Sequence, residues 1–95
     1  MLVIIKSAPG TSEGRRGVSL ASDMSAEIVL LQNGVYFVQG QKLANAGFAG
    51  KAYVLEDDRR LRGLEADNSN KTVQDLSYDG LVDLLIEHDK VIGMF

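Results

Sequence analysis

The stretch from Ala26 to Val38, AEIVLLQNGVYFV, constrains the fold more than any other part of the chain. Its apolar run, Ile28-Val29-Leu30-Leu31, lacks the alternation of a strand with one wet face. A strand that reads this way is buried on both faces, as in a parallel α/β sheet. The run passes abruptly into Gln32-Asn33-Gly34, the expected turn at the strand's carboxyl end, and becomes apolar again at Val35-Tyr36-Phe37-Val38. Gly34 is expected to supply the positive φ such a turn often needs, and Asn33 tolerates the left-handed region better than most residues. In open α/β sheets, ligands and partners meet the protein just outside the carboxyl ends of the strands. Function is therefore sought at this turn first.

The remaining segments agree with that frame. Leu2-Val3-Ile4-Ile5-Lys6 is a second unbroken run and reads as another buried strand. The loop from Ser7 to Gly14 holds the only proline; Thr11 or Ser12 is the expected N-cap of a short helix whose apolar side is Val18, Leu20, Ala21 and Met24. Val35 to Ala44 reads as a helix laid back on the sheet and ended by Gly47 and Gly50. Lys51 to Leu55 is a third strand, and it runs directly into Glu56-Asp57-Asp58-Arg59-Arg60-Leu61-Arg62-Gly63. Acid first, base last and a closing glycine mark a short helix there. Residues 65–71 read as a loop, and Thr72-Val73-Gln74 as a weakly signalled fourth strand. Ser77 is the expected N-cap of a helix from Tyr78 to His88, and Lys90 to Phe95 a final strand or extended tail. Alternating strand and helix imply right-handed crossovers and a parallel sheet with helices on both faces.

Composition limits what this framework can do. Its 95 residues suffice for one domain but not for two independent cores. A net charge of −3 and the lack of a basic face argue against a nucleic-acid backbone as direct partner. The apolar runs fall far short of the roughly 20 residues of a membrane span, and the first residues lack the basic region of a signal peptide, so a cytoplasmic protein is expected. There is no cysteine. Disulfides, thiolate metal sites and any chemistry requiring a thiol or persulfide on this chain are excluded.

Candidate chemistry is sparse. Gly10-Thr-Ser-Glu-Gly14 lacks both the ending of a P-loop and the spacing of a dinucleotide fingerprint, so a plain connection is favoured over a phosphate cradle. Glu56, Asp57 and Asp58 follow a strand, where a magnesium site or an acid/base pair could be built. The favoured reading is that they cap their helix and pair with Arg59, Arg60 and Arg62. His88, the only histidine, closes a helix and reads as a dipole complement. No nucleophile elbow, nucleophile–base spacing or cofactor motif is found, and no cofactor is expected. Tyr36, Phe37 and Val38, with Met94 and Phe95, are more apolar than so small a domain easily buries. They are either core or part of a subunit interface, whose centre favours such residues.

Taken together, Leu30-Leu31-Gln32-Asn33-Gly34-Val35, Lys51-Ala-Tyr-Val-Leu55 with Asp57-Asp58, Leu61 and Arg62-Gly63, and Leu76-Ser-Tyr78 with Leu81-Val82-Asp83-Leu84 resemble the DsrH/TusB family of the DsrE-like superfamily. Lys6-Ser7 at the end of the first strand and the aromatic Phe95 also agree. The resemblance implies an α/β fold of three layers, α/β/α, with a mostly parallel sheet of about five short strands. It implies a cytoplasmic sulfur relay serving tRNA 2-thiouridine synthesis or sulfur oxidation, in complex with DsrE/TusD-like and DsrF/TusC-like proteins. Some family members carry a cysteine in the helix after the first strand, where this sequence has Val18 and Ser19. The expected role is thus a non-catalytic partner or scaffold, contacting its neighbours through Gln32, Asn33, Gly34, Val35, Tyr36, Phe37, Met94 and Phe95. The alternatives are a small metal-dependent enzyme using Glu56, Asp57 and Asp58, or a homo-oligomer without a relay role.

Overall fold

Both continuous apolar runs become interior strands. The computed structural model describes residues 1–64 and 73–93. Its strands are β1 (Leu2–Ile5), β2 (Glu27–Leu30), β3 (Ala52–Leu55), β4 (Val73–Leu76) and β5 (Val91–Ile92). They form one sheet in the order β4-β3-β2-β1-β5, with every pairing parallel. Every residue of β1 and β3 is buried, as is β2 apart from half-buried Glu27, whereas β4 and β5 are only partly covered. That gradient is why the central strands announce themselves in the sequence and the edge strands do not.

The helices are α1 (Ser12–Asp23), α2 (Lys42–Asn45), α3 (Glu56–Leu61) and α4 (Tyr78–Glu87), with a 3-10 helix over Gln32–Val38. One sheet face presents Val3, Ile5, Ile28, Leu30, Ala52 and Val54, which pack with residues of α1, the 3-10 helix and α2. The other presents Leu2, Val29 and Tyr53, packed under Leu84 of α4 with Leu81 and Leu85 beside it. The architecture is thus three-layered, α/β/α. Topology explains the unequal layers: the steps from β1 to β4 all move one way along the sheet, so right-handed crossovers put their connections on one face. The return from β4 to β5 runs the other way and carries α4 alone to the opposite face.

Local chemistry sets the helix ends. Thr11, rather than Ser12, is the N-cap of α1: its hydroxyl accepts from the Gly14 N–H at 3.1 Å and donates to the Ala8 carbonyl at 2.7 Å. The Ser77 hydroxyl accepts from the Gly80 N–H at 3.1 Å and caps α4 as expected. After α3, Gly63 takes φ +70; its N–H donates to the Arg60 carbonyl and the Leu64 N–H to the Arg59 carbonyl. This is a Schellman closure, with Leu64 turned into the core.

One expected element differs. The single helix over 35–44 is instead the 3-10 helix followed by the four-residue α2, because Gly40 (φ 56) and Gln41 (φ 59) both enter the left-handed region and break the run. At three residues per turn, Val35 and Val38 share one face and Gly34 and Phe37 another, and all four are buried. The expected loop over 65–71 lies outside the described residues. Among the described residues no helix is long and apolar enough to cross a membrane.

Candidate functional site

The turn after β2 is clamped against the carboxyl end of β1. The Leu31 N–H donates to the Ile5 carbonyl at 2.9 Å, and the Gly34 N–H donates to the carbonyls of Leu31 (2.8 Å) and Lys6 (3.1 Å). A Cβ built on Gly34 would stand 2.2 Å from the Ile5 carbonyl oxygen. Close approach, not a positive φ, therefore requires glycine there. The left-handed residue of the turn is Gln32, at φ 50, a conformation that costs a non-glycine residue about 1 kcal/mol or more.

Asp58 holds that strained residue in place. Its carboxylate accepts the Gln32 N–H at 2.7 Å, a charge-assisted bond. Arg62, one turn further along, donates from Nε to Asn33 Oδ1 at 3.2 Å and from Nη1 to the Asp58 carbonyl at 3.2 Å. Two of the sequence stretches that carry the family resemblance, Gln32-Asn33-Gly34 and Asp58 to Gly63, thus meet in one polar cluster at the carboxyl ends of β2 and β3. Asp58→Asn is expected to cost about 1 kcal/mol and to speed hydrogen exchange at the Gln32 amide selectively. An unchanged Gln32 exchange rate would remove Asp58 from this role.

The side chains of the cluster are engaged with backbone and with one another. Asp58 is occupied by a backbone N–H and by Arg62, and Glu56 pairs with Arg60 on the same helix face. Asp57 is exposed. Arg59 leaves the group expected from the sequence and crosses to Asp75 on β4, with contacts of 3.2 and 2.8 Å, while also donating to the Leu64 carbonyl at 2.8 Å. Among the described residues, no three His, Asp or Glu side chains are grouped to hold a metal ion. His88 has Nδ1 2.9 Å from the Leu84 carbonyl and Nε2 3.7 Å from Glu27 Oε1, joining the end of α4 to the start of β2.

The expected contact residues separate by burial. Gln32 and Asn33 are exposed and Tyr36 is half-buried, so all three remain at the surface. Gly34, Val35 and Phe37 are buried in the core and offer no side-chain surface to another chain. Met94 and Phe95 lie outside the described residues. Among the described residues Met24, Leu61 and Val91 are exposed, and three more large apolar side chains, Tyr78, Val82 and Ile86, are exposed together on α4. The signal of that group in the sequence is an apolar arc too wide for a helix resting on one layer. At the opposite end of the sheet, a cavity of about 280 Å³ is lined by Ser22, Ser25, Glu27, Phe48 and Lys51 among others. Its Lys51 amine stands 5.0 Å from the Tyr53 ring centroid. A hydrogen bond to Tyr53 and the charge interaction with it raise the Lys51 pKa above its ordinary value.

The model of the family described as DsrH-like proteins matches residues 13–91, from the first turn of α1 to the start of β5. The chain belongs to the DsrH-like family. Members of this family are components of sulfur relays. The match takes in the turn after β2 and all of α3, the two DsrH-like segments that the Asp58–Arg62 cluster joins. No curated protein matches the chain.

Proposed function

We propose that the chain is a non-catalytic subunit of a cytoplasmic sulfur-relay complex, working as a single domain beside a cysteine-bearing DsrE/TusD-like subunit and a DsrF/TusC-like subunit. One observation carries this reading: a member of a sulfur-relay family that contains no cysteine. A persulfide needs a thiolate sulfur to bear the second sulfur, and no other side chain supplies one. In the helix where some relatives carry a cysteine, Val18 is fully buried and Ser19 is exposed. The Ser19 hydroxyl does not substitute for a thiol. The polar cluster at the strand ends supports the same reading, since its carboxylate and guanidinium satisfy each other and the backbone. It presents Gln32 and Asn33 in one fixed geometry, suited to contact rather than to turnover. The sulfur passed on would serve tRNA 2-thiouridine synthesis or sulfur oxidation.

Sulfur transfer from a persulfide-loaded DsrE-like subunit, followed with and without this chain in the presence of the DsrF-like subunit, tests the proposal. The expected result is faster or more complete transfer to the acceptor when the chain is present. Transfer at the same rate without it would overturn the role.

A further inference from the structure

The outward half of α4 carries a pattern that the fold leaves unused. Successive helical residues turn by about 100°, so Tyr78, Val82 and Ile86 fall in one row along the helix. They are 57%, 53% and 77% exposed. Asp79, Asp83 and Glu87, also at four-residue spacing and all exposed, form a second row directly beside the first. Leu81, Leu84 and Leu85 seat the helix on the sheet. The apolar arc from Leu84 round to Ile86 spans roughly 200°, about twice the stripe needed to pack against a single layer. Half of it covers the sheet, and the other half faces outward.

We propose that this outer face of α4 is the docking surface for a different protein subunit, one that presents an apolar strip flanked by lysine or arginine. The proposal rests on the partner role argued above and places that role on particular residues. The acid row selects the occupant. In an antiparallel two-fold pairing with a second copy, Asp79, Asp83 and Glu87 would stand opposite their own counterparts. In a parallel pairing, each acid row would lie against the Leu81–Leu85 side of the other helix, where carboxylates lose water and gain no cation. The net charge of −3 adds to the repulsion between copies. A partner with a basic rim satisfies both rows at once, desolvating Tyr78, Val82 and Ile86 at the centre and pairing the carboxylates at the edge.

Association with the DsrE-like and DsrF-like subunits of the same organism is the readout, with Val82→Glu/Ile86→Glu as the principal variant. Both side chains are exposed, so the variant is expected to melt like the parent while binding weakens roughly a hundredfold. A second variant, Asp79→Asn/Asp83→Asn/Glu87→Gln, is expected to bind more weakly at low salt and to flatten the salt dependence. Undiminished binding by a folded Val82→Glu/Ile86→Glu chain, or tighter binding by the neutralised one, overturns the proposal and leaves the partner role standing. Should the charged pair fail to fold, the neutralised variant and the hydrogen-exchange protection of α4 amides in the complex decide the matter, and unprotected amides count against. Self-association of the parent chain that Val82→Glu/Ile86→Glu abolishes would make a second copy the occupant and also overturn the proposal. A parent chain that binds neither subunit removes the partner role itself, and this surface assignment with it.

Discussion

Gly34→Ala is expected to destabilise the protein by about 3 kcal/mol and to lower its melting temperature by roughly 10–20 °C. Two effects oppose each other at this position. Alanine favours helical backbone over glycine by up to about 1 kcal/mol, and Gly34 is not among the positive-φ residues, so alanine meets no backbone strain of its own. Against that gain, its Cβ would stand 2.2 Å from the carbonyl oxygen of Ile5 and 2.9 Å from the carbonyl carbon. Those atoms belong to β1, which is buried along its whole length, and Ile5 is held there by its pairing with Leu30 of β2 and by the Leu31 N–H on its carbonyl. The strand has nowhere to move, so the clash wins and the turn must lift. Gly40→Ala is the matched control. It has φ +56 and open space around it, and is expected to cost only about 1 kcal/mol. Chemical denaturation of the two variants separates them, and equal losses would show that Gly34 is not a close-packing position.

Asp75→Ala is expected to cost about 2–3 kcal/mol, somewhat below the roughly 3–5 kcal/mol for removing one partner of a fully buried ion pair. The discount arises because the Asp75 side chain is 32% exposed, whereas that of Arg59 is 8% exposed. Without Asp75 the guanidinium keeps the Leu64 carbonyl as its one partner among the described residues and stays out of water as a poorly compensated cation. The double variant Arg59→Met/Asp75→Ala is expected to recover most of the loss, since an apolar side chain of similar length fills the site without a charge. A double variant as unstable as the single one would assign the loss to packing around Asp75 instead.

Much of this fold was legible because its local signals agree. Leu2 to Ile5 and Ile28 to Leu30 read as strands buried on both faces and are. Ser77 and Gly63 mark helix ends by the same hydrogen-bond chemistry that the structure contains. The differences have specific physical causes. Val35 to Ala44 carries apolar residues compatible with either helical period, and only the left-handed Gly40 and Gln41 reveal the break. Edge strand β4 is partly exposed and holds Asp75 opposite Val54, so no apolar run announces it.

The site was half legible. That Gln32-Asn33-Gly34 and Asp58 to Gly63 both matter was readable, but their contact joins residues 26 and 29 positions apart, which local pattern does not encode. The role of Gly34 was misread for the same reason, since the atom it must avoid belongs to a strand some thirty positions earlier in the chain. Surplus apolar surface was expected at Tyr36 to Val38 and at Met94 and Phe95; the 3-10 helix buries Phe37 and Val38, and the last two lie outside the described residues. Among the described residues an exposed apolar row lies on α4, because this ten-residue helix serves the second face of the sheet and its sequence is apolar beyond that face.

Size-exclusion chromatography with light scattering, on the 10.3 kDa chain mixed with the DsrE-like and DsrF-like subunits of the same organism, tests the partner role most directly. The predicted result is one species that contains all three subunits in a fixed ratio, formed without any thiol on this chain. The chain eluting alone at its own mass, while the other two assemble without it, would contradict the role.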